Sequence, residues 1–194
     1  MYSRDAAGAG SLRADEELLE EHWSYMDGFA GSMIARGPTL TADHETATGS
    51  LHVLALPSVD AAHEFVDREP NNRAGVYAEH SVWRFDNLLG RTMWESSGAV
   101  DEARFLIIAR SHQSRKLETS RKPVPPERLS AELRERLILY GALTTLDDSE
   151  LVGVALAVQA PDRGALDGLL KEGRLGLDIV PEIEIHDWEF GGRR

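Results

Sequence analysis

One offset of 104 residues maps one part of this chain onto another. It carries Gly37-Pro38-Thr39-Leu40 onto Gly141-Ala142-Leu143-Thr144 and, without a gap, Gly49 onto Gly153 and Pro57-Ser58 onto Pro161-Asp162. A module used twice limits what 194 residues can become. Two copies of roughly 95 residues each stand near the lower end of self-sufficient domain size. The economical solution is one pseudo-symmetric body built from both. Differences between the copies then show where chemistry has been kept or lost.

Periodicity gives the elements inside each copy. From Ala14, the residues Leu18, Leu19, His22, Trp23, Met26, Phe29, Ala30, Met33 and Ile34 recur at helical spacing, which predicts one long helix with a broad buried stripe. Gly37-Pro38 reads as its stop, because Gly tolerates a positive φ and Pro cannot continue the hydrogen-bond ladder. Thr39 to Thr41 and Ser50 to Leu56 read as strands, and Ser58 as the N-cap of a second helix with Ala61, Ala62, Phe65 and Val66 inward. Val76 to Phe85 reads as the final strand of copy one. In copy two Phe105 to Ala109 opens, and a helix from about Pro126 carries Leu129, Leu133, Leu137 and Ile138. Leu143–Leu146 and Leu151–Gln159 form a hairpin, Asp162 caps a helix over Arg163–Leu170, and Glu182–Phe190 closes the module.

The order in both is β-α-β-β-α-β, the ferredoxin-like split βαβ arrangement. Helices cover one face of such a sheet, and a second sheet would cover the other. The predicted fold is therefore α+β: two tandem ferredoxin-like modules forming an intrachain pseudo-dimeric α+β barrel. Module 1 spans 1–90, a connector 91–104 and module 2 105–194. Apolar residues of the run Leu88 to Trp94 are expected to pack across the module interface. The opening strand of copy one is reduced to Met1-Tyr2-Ser3-Arg4, and two explanations stay open: a short strand lacking a few ladder bonds, or a chain that begins late.

A formal net charge of −12 argues against a nucleic-acid partner. The one basic stretch, Arg115-Lys116 through Arg121-Lys122, reads as a solvated loop. Cysteine is absent, which removes disulfides and thiolate metal sites. No apolar run approaches the roughly 20 residues of a membrane span, and no secretory signal opens the chain. A soluble cytoplasmic protein with no membrane partner is expected. No Walker loop, Rossmann glycine fingerprint or Gly-x-Ser-x-Gly elbow is present, and no His-x-His or His-Glu-x-x-His spacing, so no cofactor and no metal are expected.

The run His22-Trp23-Ser24-Tyr25-Met26, then Arg36-Gly37-Pro38-Thr39-Leu40, Gly49-Ser50-Leu51 and Glu69-Pro70, resembles the YCII (YciI-like) family. The likeness covers nearly the whole chain as two copies, strong in the first and eroded in the second. It implies a fused member of the dimeric α+β barrel superfamily, whose members include cofactor-free lyases, isomerases and quinone-forming monooxygenases. It also implies a His–Asp site, whose His carries over to His22. Glu69 stands at the Asp position, keeping the charge on a longer side chain. In copy two the same offset replaces His22 by Pro126, and the region opposite Glu69 is the shortened Leu170-Lys171-Glu172-Gly173. One site per chain, in copy one, is expected.

A His beside a carboxylate moves protons near neutral pH, because imidazole titrates there and the carboxylate fixes its tautomer. The resulting expectation is a cofactor-independent enzyme (lyase, isomerase or cyclase) acting by proton transfer on a small cyclic or aromatic metabolite, with His22 and Glu69 catalytic. His52 alternates with Leu51 and Val53 and is a candidate for the barrel interior. Tyr77, Trp83 and Arg84, all on the predicted final strand, are candidates for holding an acidic or planar substrate, Tyr77 and Trp83 on one face and Arg84 on the other. Plainer alternatives stay open: His22 satisfied by a backbone carbonyl, and the Tyr77 face simply core. So do other function classes: a non-catalytic ligand-binding or accessory protein, a cofactor-free monooxygenase of a phenol or quinol, and a protein-binding scaffold. Pairing of the fused barrel into a homodimer stays open as well.

Overall fold

The computed structural model describes residues 1–96, 102–116, 123–172 and 182–192. The chain divides into two units: Met1–Val82 with Glu189–Arg194, and Trp83–Trp188. The basic stretch beyond Lys116 and the Gly173 end of the segment opposite Glu69 lie outside the described residues.

Unit 1 contains β1 (Tyr2–Asp5), α1 (Gly10–Arg13), α2 (Glu16–Asp27), β2 (Met33–Leu40), β3 (Ala47–Leu54), α3 (Val59–Arg68), α4 (Pro70–Arg73) and β4 (Tyr77–Ser81). Its antiparallel strands run in the order β4-β1-β3-β2. The short opening strand is central and laddered on both sides, Tyr2 opposite Leu51 and Ser81.

The first helix is shorter than its apolar spacing predicts. Asp15 caps α2 by accepting from the Leu18 amide, Glu16 and Glu17 suit its positive end, and it stops at Asp27. Gly28, Phe29 and a 3-10 turn over Ala30–Ser32 follow. From Met33 burial alternates strictly to Leu40, the period of a half-buried strand. Met33 and Ile34 are therefore strand residues, and Gly37-Pro38 lies inside β2 rather than ending a helix. Glycine is required at position 37 for another reason: a Cβ there would sit 1.8 Å from the Glu189 carbonyl oxygen. Met26, Met33, Phe65 and Val66 make the core between α2, α3 and the sheet, with Tyr25 and Phe29 against it.

Unit 2 contains β5 (Arg84–Asn87), β6 (Ala103–Lys116), α5 (Ala131–Arg136), β7 (Leu137–Thr144), β8 (Glu150–Ala160), α6 (Arg163–Glu172) and β9 (Glu182–Trp188), with strand order β9-β6-β8-β7-β5. Ser130 caps α5 and Asp162 begins α6 by accepting from the Ala165 amide. Leu137 and Ile138 open β7 instead of continuing a helix, since every residue of Leu137–Thr144 is buried and a strand covered on both faces reads as an unbroken apolar run. Phe105, Ile107, Leu133, Tyr140, Leu156 and Leu166 centre the core.

The predicted final strand of copy one, Val76 to Phe85, is two strands. Tyr77–Ser81 pairs with β1, whereas Arg84–Asn87 pairs with β7, Phe85 opposite Leu143. Tyr77 and Trp83 accordingly do not share a strand face. Among the described residues no helix is long and apolar enough to cross a membrane.

Candidate functional site

The junction between α3 and α4 places the carboxylate. Pro70 occupies the first turn of α4, and a residue before proline is driven into extended backbone. Glu69 obeys this, with φ −62° and ψ 121°, and its side chain turns back as the N-cap: Oε2 accepts from the Asn72 amide at 2.6 Å. Its other oxygen, Oε1, lies 2.6 Å from Nδ1 of His22, in the second half of α2. Glu69 is fully buried, 0% exposed. Forty-seven residues of sequence separate the partners, so the contact depends on α2 and the α3–α4 junction reaching the same place.

A carboxylate this close to Nδ1 accepts its proton and fixes the Nδ1–H tautomer. The lone pair then sits on Nε2, which has no protein partner among the described residues. The Asn71 amide approaches Nδ1 at 3.1 Å, and with the proton there its oxygen is the group that suits the contact, the two amide orientations being isosteric. His22 lies in the wall of a cavity of about 210 Å³ within unit 1.

Two cations share that wall. Arg13 forks onto Asp5 with Nε and a terminal nitrogen at 2.5 and 2.7 Å and reaches Ser50 Oγ at 3.0 Å. Burial is the largest single influence and works against its charge, but the hydrogen bond to Asp5 together with the fields of Tyr77, Asp5 and Glu69 outweighs it, and the guanidinium stays ionised. Arg36, from β2, donates Nε to the Gly191 carbonyl at 3.2 Å. Burial, reinforced by Glu69, pushes the Tyr77 phenol up to about 12, so it remains a neutral hydroxyl beside Asn71.

His52 is buried, as are both its strand neighbours, so β3 is covered on both faces. It borders the cavity with its ring 5.8 Å from that of His22. Among the described residues its Nδ1 has no hydrogen-bond partner. Burial first, then the nearby His22, the Met1 amine, Arg13 and Arg36, hold its pKa well below the ordinary 6.5. Between that value and the lower folded one, the unfolded chain binds the extra proton, so stability falls as the pH drops through this window. His52→Gln is expected to flatten this acid-side loss, about 1.4 kcal/mol for each unit separating the two values. Urea midpoints measured at about pH 7.5 and about pH 5 check it, since they report the linkage directly; equal pH dependence in both proteins would remove His52 as its source.

The structure thus brings His22, Glu69 and His52 together, with Tyr77 linked through Asn71. It does not add Trp83 or Arg84. Both belong to unit 2, where the Arg110 guanidinium lies 5.7 Å over the Trp83 ring and Arg84 donates to the Leu146 carbonyl. Arg13, Arg36, Asn71 and Phe190 border the cavity and were not singled out from sequence. Only Arg36 carried a usable signal, standing beside the repeated Gly37 inside the matched motif. Among the described residues no cluster of three or more potential metal-binding side chains occurs.

Residues 2–86 match the family described as the YCII-related domain. No curated protein matches the chain. Among solved structures the chain is similar to 5-chloro-2-hydroxyhydroquinone dehydrochlorinase from Burkholderia phenoliruptrix AC1100, in complex with 2,5-dihydroxybenzoquinone: 30% identity, 44% of this chain and 90% of that one covered, TM-score 0.40.

Proposed function

We propose that this chain is a cofactor-independent enzyme that moves protons on a small cyclic or aromatic metabolite, with His22 as the base and Glu69 as its orienting partner. The single observation that carries the reading is the 2.6 Å contact between His22 Nδ1 and a fully buried carboxylate at the edge of a cavity. Burying a carboxylate is costly unless it is paired and hydrogen-bonded. Glu69 spends both oxygens on that task, one on a helix cap and one on the imidazole. In the step so arranged, His22 Nε2 takes a proton from an acidic C–H or O–H, and the electron pair stays with the ligand. The imidazolium returns the proton at a second position, or a leaving group departs with the electron pair. Positioned bases of this kind contribute about 10²–10⁴-fold.

The match to the YCII-related domain over residues 2–86 supports the family for copy one. We read the whole chain as two tandem ferredoxin-like copies, the make-up of a pseudo-dimeric α+β barrel. Two correspondences support this. The order β9-β6-β8-β7 repeats β4-β1-β3-β2. The repeated glycines also have repeated surroundings: a Cβ on Gly49 or Gly153 would meet the opening strand of its own copy, β1 at Ser3 or β6 at Ala109, 2.2 and 2.0 Å from a carbonyl oxygen.

Deuterium wash-in tests the enzymatic reading. Incubated in D2O with a set of enolisable cyclic ketones, phenols and ring carboxylates, the wild type is expected to exchange a carbon-bound proton of at least one, and His22→Asn to lose about 10²-fold or more of that rate. Exchange that is indifferent to His22, or absent throughout the set, contradicts the reading and favours a binding protein.

A further inference from the structure

We propose that the segment Glu189–Gly192 is a specificity element of the site, and that with Arg36 it selects a single planar ring bearing an anionic oxygen group. The inference deepens the function proposed above, because it names the ligand class of the same cavity.

The chain leaves unit 2 after Trp188, and its next residues belong to unit 1. There they form a ladder with β2: the Glu189 amide donates to the Pro38 carbonyl at 3.2 Å, and the Gly191 amide to the Arg36 carbonyl at 3.0 Å. Arg36 Nε closes the pattern on the Gly191 carbonyl. Three glycines make the approach feasible. A Cβ on Gly37 would meet Glu189, one on Gly191 would sit 2.8 Å from the Gly37 Cα, and one on Gly192 would fall 2.0 Å from a terminal nitrogen of Arg36. Gly192 also holds φ at +106°, a conformation side chains rarely adopt. The crossing is thus written into the local sequence at three positions, and it leaves the Arg36 guanidinium lying against Gly192.

Phe190, Gly191 and Gly192 line the cavity with His22, His52 and Arg36. An apolar cavity near 150 Å³ holds one benzene ring, so about 210 Å³ suits one six-membered ring with one or two polar substituents. Phe190 offers that ring an aromatic neighbour. Arg36, braced by the Gly191 carbonyl and with a terminal nitrogen 3.9 Å from Asp27, puts a positive charge on the wall that suits a carboxylate or enolate. His52 adds a buried imidazole to the same wall, its ring 5.8 Å from that of His22.

The test uses two probes of one shape and different charge, benzoate and benzamide, titrated into the full chain while the amide signals of Gly191 and Gly192 are followed by NMR. The wild type is expected to bind benzoate about 10-fold tighter than benzamide. Arg36→Gln should abolish the preference, and Arg36→Lys, which keeps the charge, should retain part of it. Phe190→Ala should weaken both probes about 10-fold, or about 1.4 kcal/mol. Equal affinities, a preference that survives Arg36→Gln, Phe190→Ala titrating like wild type, or no saturation up to about 10 mM each overturn the proposal. Binding is read without turnover, so the two proposals fail separately. A benzoate preference with no deuterium wash-in removes the catalytic reading alone; wash-in without the preference removes this one alone.

Discussion

Glu69→Gln is expected to leave the protein folded and to cut turnover about 10²–10⁴-fold, the contribution of a positioned base. Glutamine keeps the shape and one carbonyl oxygen for the Asn72 amide. Its amide nitrogen then faces His22 Nδ1, where the carboxylate had accepted a proton at 2.6 Å. Donated a hydrogen bond, Nδ1 becomes the acceptor and the imidazole proton moves to Nε2, which can no longer take one from a ligand. Glu69→Ala behaves differently. It leaves the Asn72 amide and His22 without their partner in a fully buried place, and removing one member of a buried pair costs about 3–5 kcal/mol. Urea denaturation combined with the deuterium wash-in rate separates the two. A Glu69→Gln protein as active as the wild type would show that the tautomer is not what the carboxylate supplies.

Gly37→Val is expected to have the second large effect, and it acts on the site through the backbone. The space a Cβ needs is occupied by the Glu189 carbonyl, 1.8 Å away, and backbone cannot swing aside as a side chain can. One escape is a strained β2, at about 1–3 kcal/mol. The other is release of the segment, which forfeits the two ladder bonds and the Arg36 contact to Gly191, at about 0.5–1.5 kcal/mol each. Either way stability falls, by about 1–3 kcal/mol through strain or about 1.5–4.5 kcal/mol through release, and release also removes Phe190 from the cavity wall. Amide exchange at Gly191 reports release, and the unfolding midpoint reports strain. Gly31→Ala is the control, because nothing lies within 4 Å of a Cβ there, and it should change neither. Unaltered exchange and an unaltered midpoint in Gly37→Val would mean that the crossing does not hold the segment.

Much of this architecture was legible in the sequence for definite reasons. Ser58 and Asp162 stand where caps stand, and both accept from the amide three residues on. The glycines at the 104-residue offset marked real points of close approach. What misled was apolar spacing: Met33 and Ile34 continue the helical stripe of α2 yet belong to β2, because Gly28 and Gly31 intervene and the strand's alternation begins only at Met33. Trp83 and Arg84 read as the continuation of a strand that ends at Ser81. His22 and Glu69 came from the family resemblance and not from periodicity, since nothing local ties residues 47 apart. Arg13 and Phe190 could not have been found that way. Each reaches the cavity through a tertiary arrangement, one from a single-turn helix and one from the chain's last residues.

The proposed chemistry depends on a buried carboxylate holding His22 with its proton on Nδ1 and its lone pair on Nε2. Imidazole nitrogen NMR of the ligand-free protein, assigned with His22→Asn, reads this directly at a pH where His22 is neutral. The Nδ1–H tautomer is expected in the wild type and the Nε2–H tautomer in Glu69→Gln. An Nε2–H imidazole in the wild type, or a tautomer indifferent to Glu69, would contradict it.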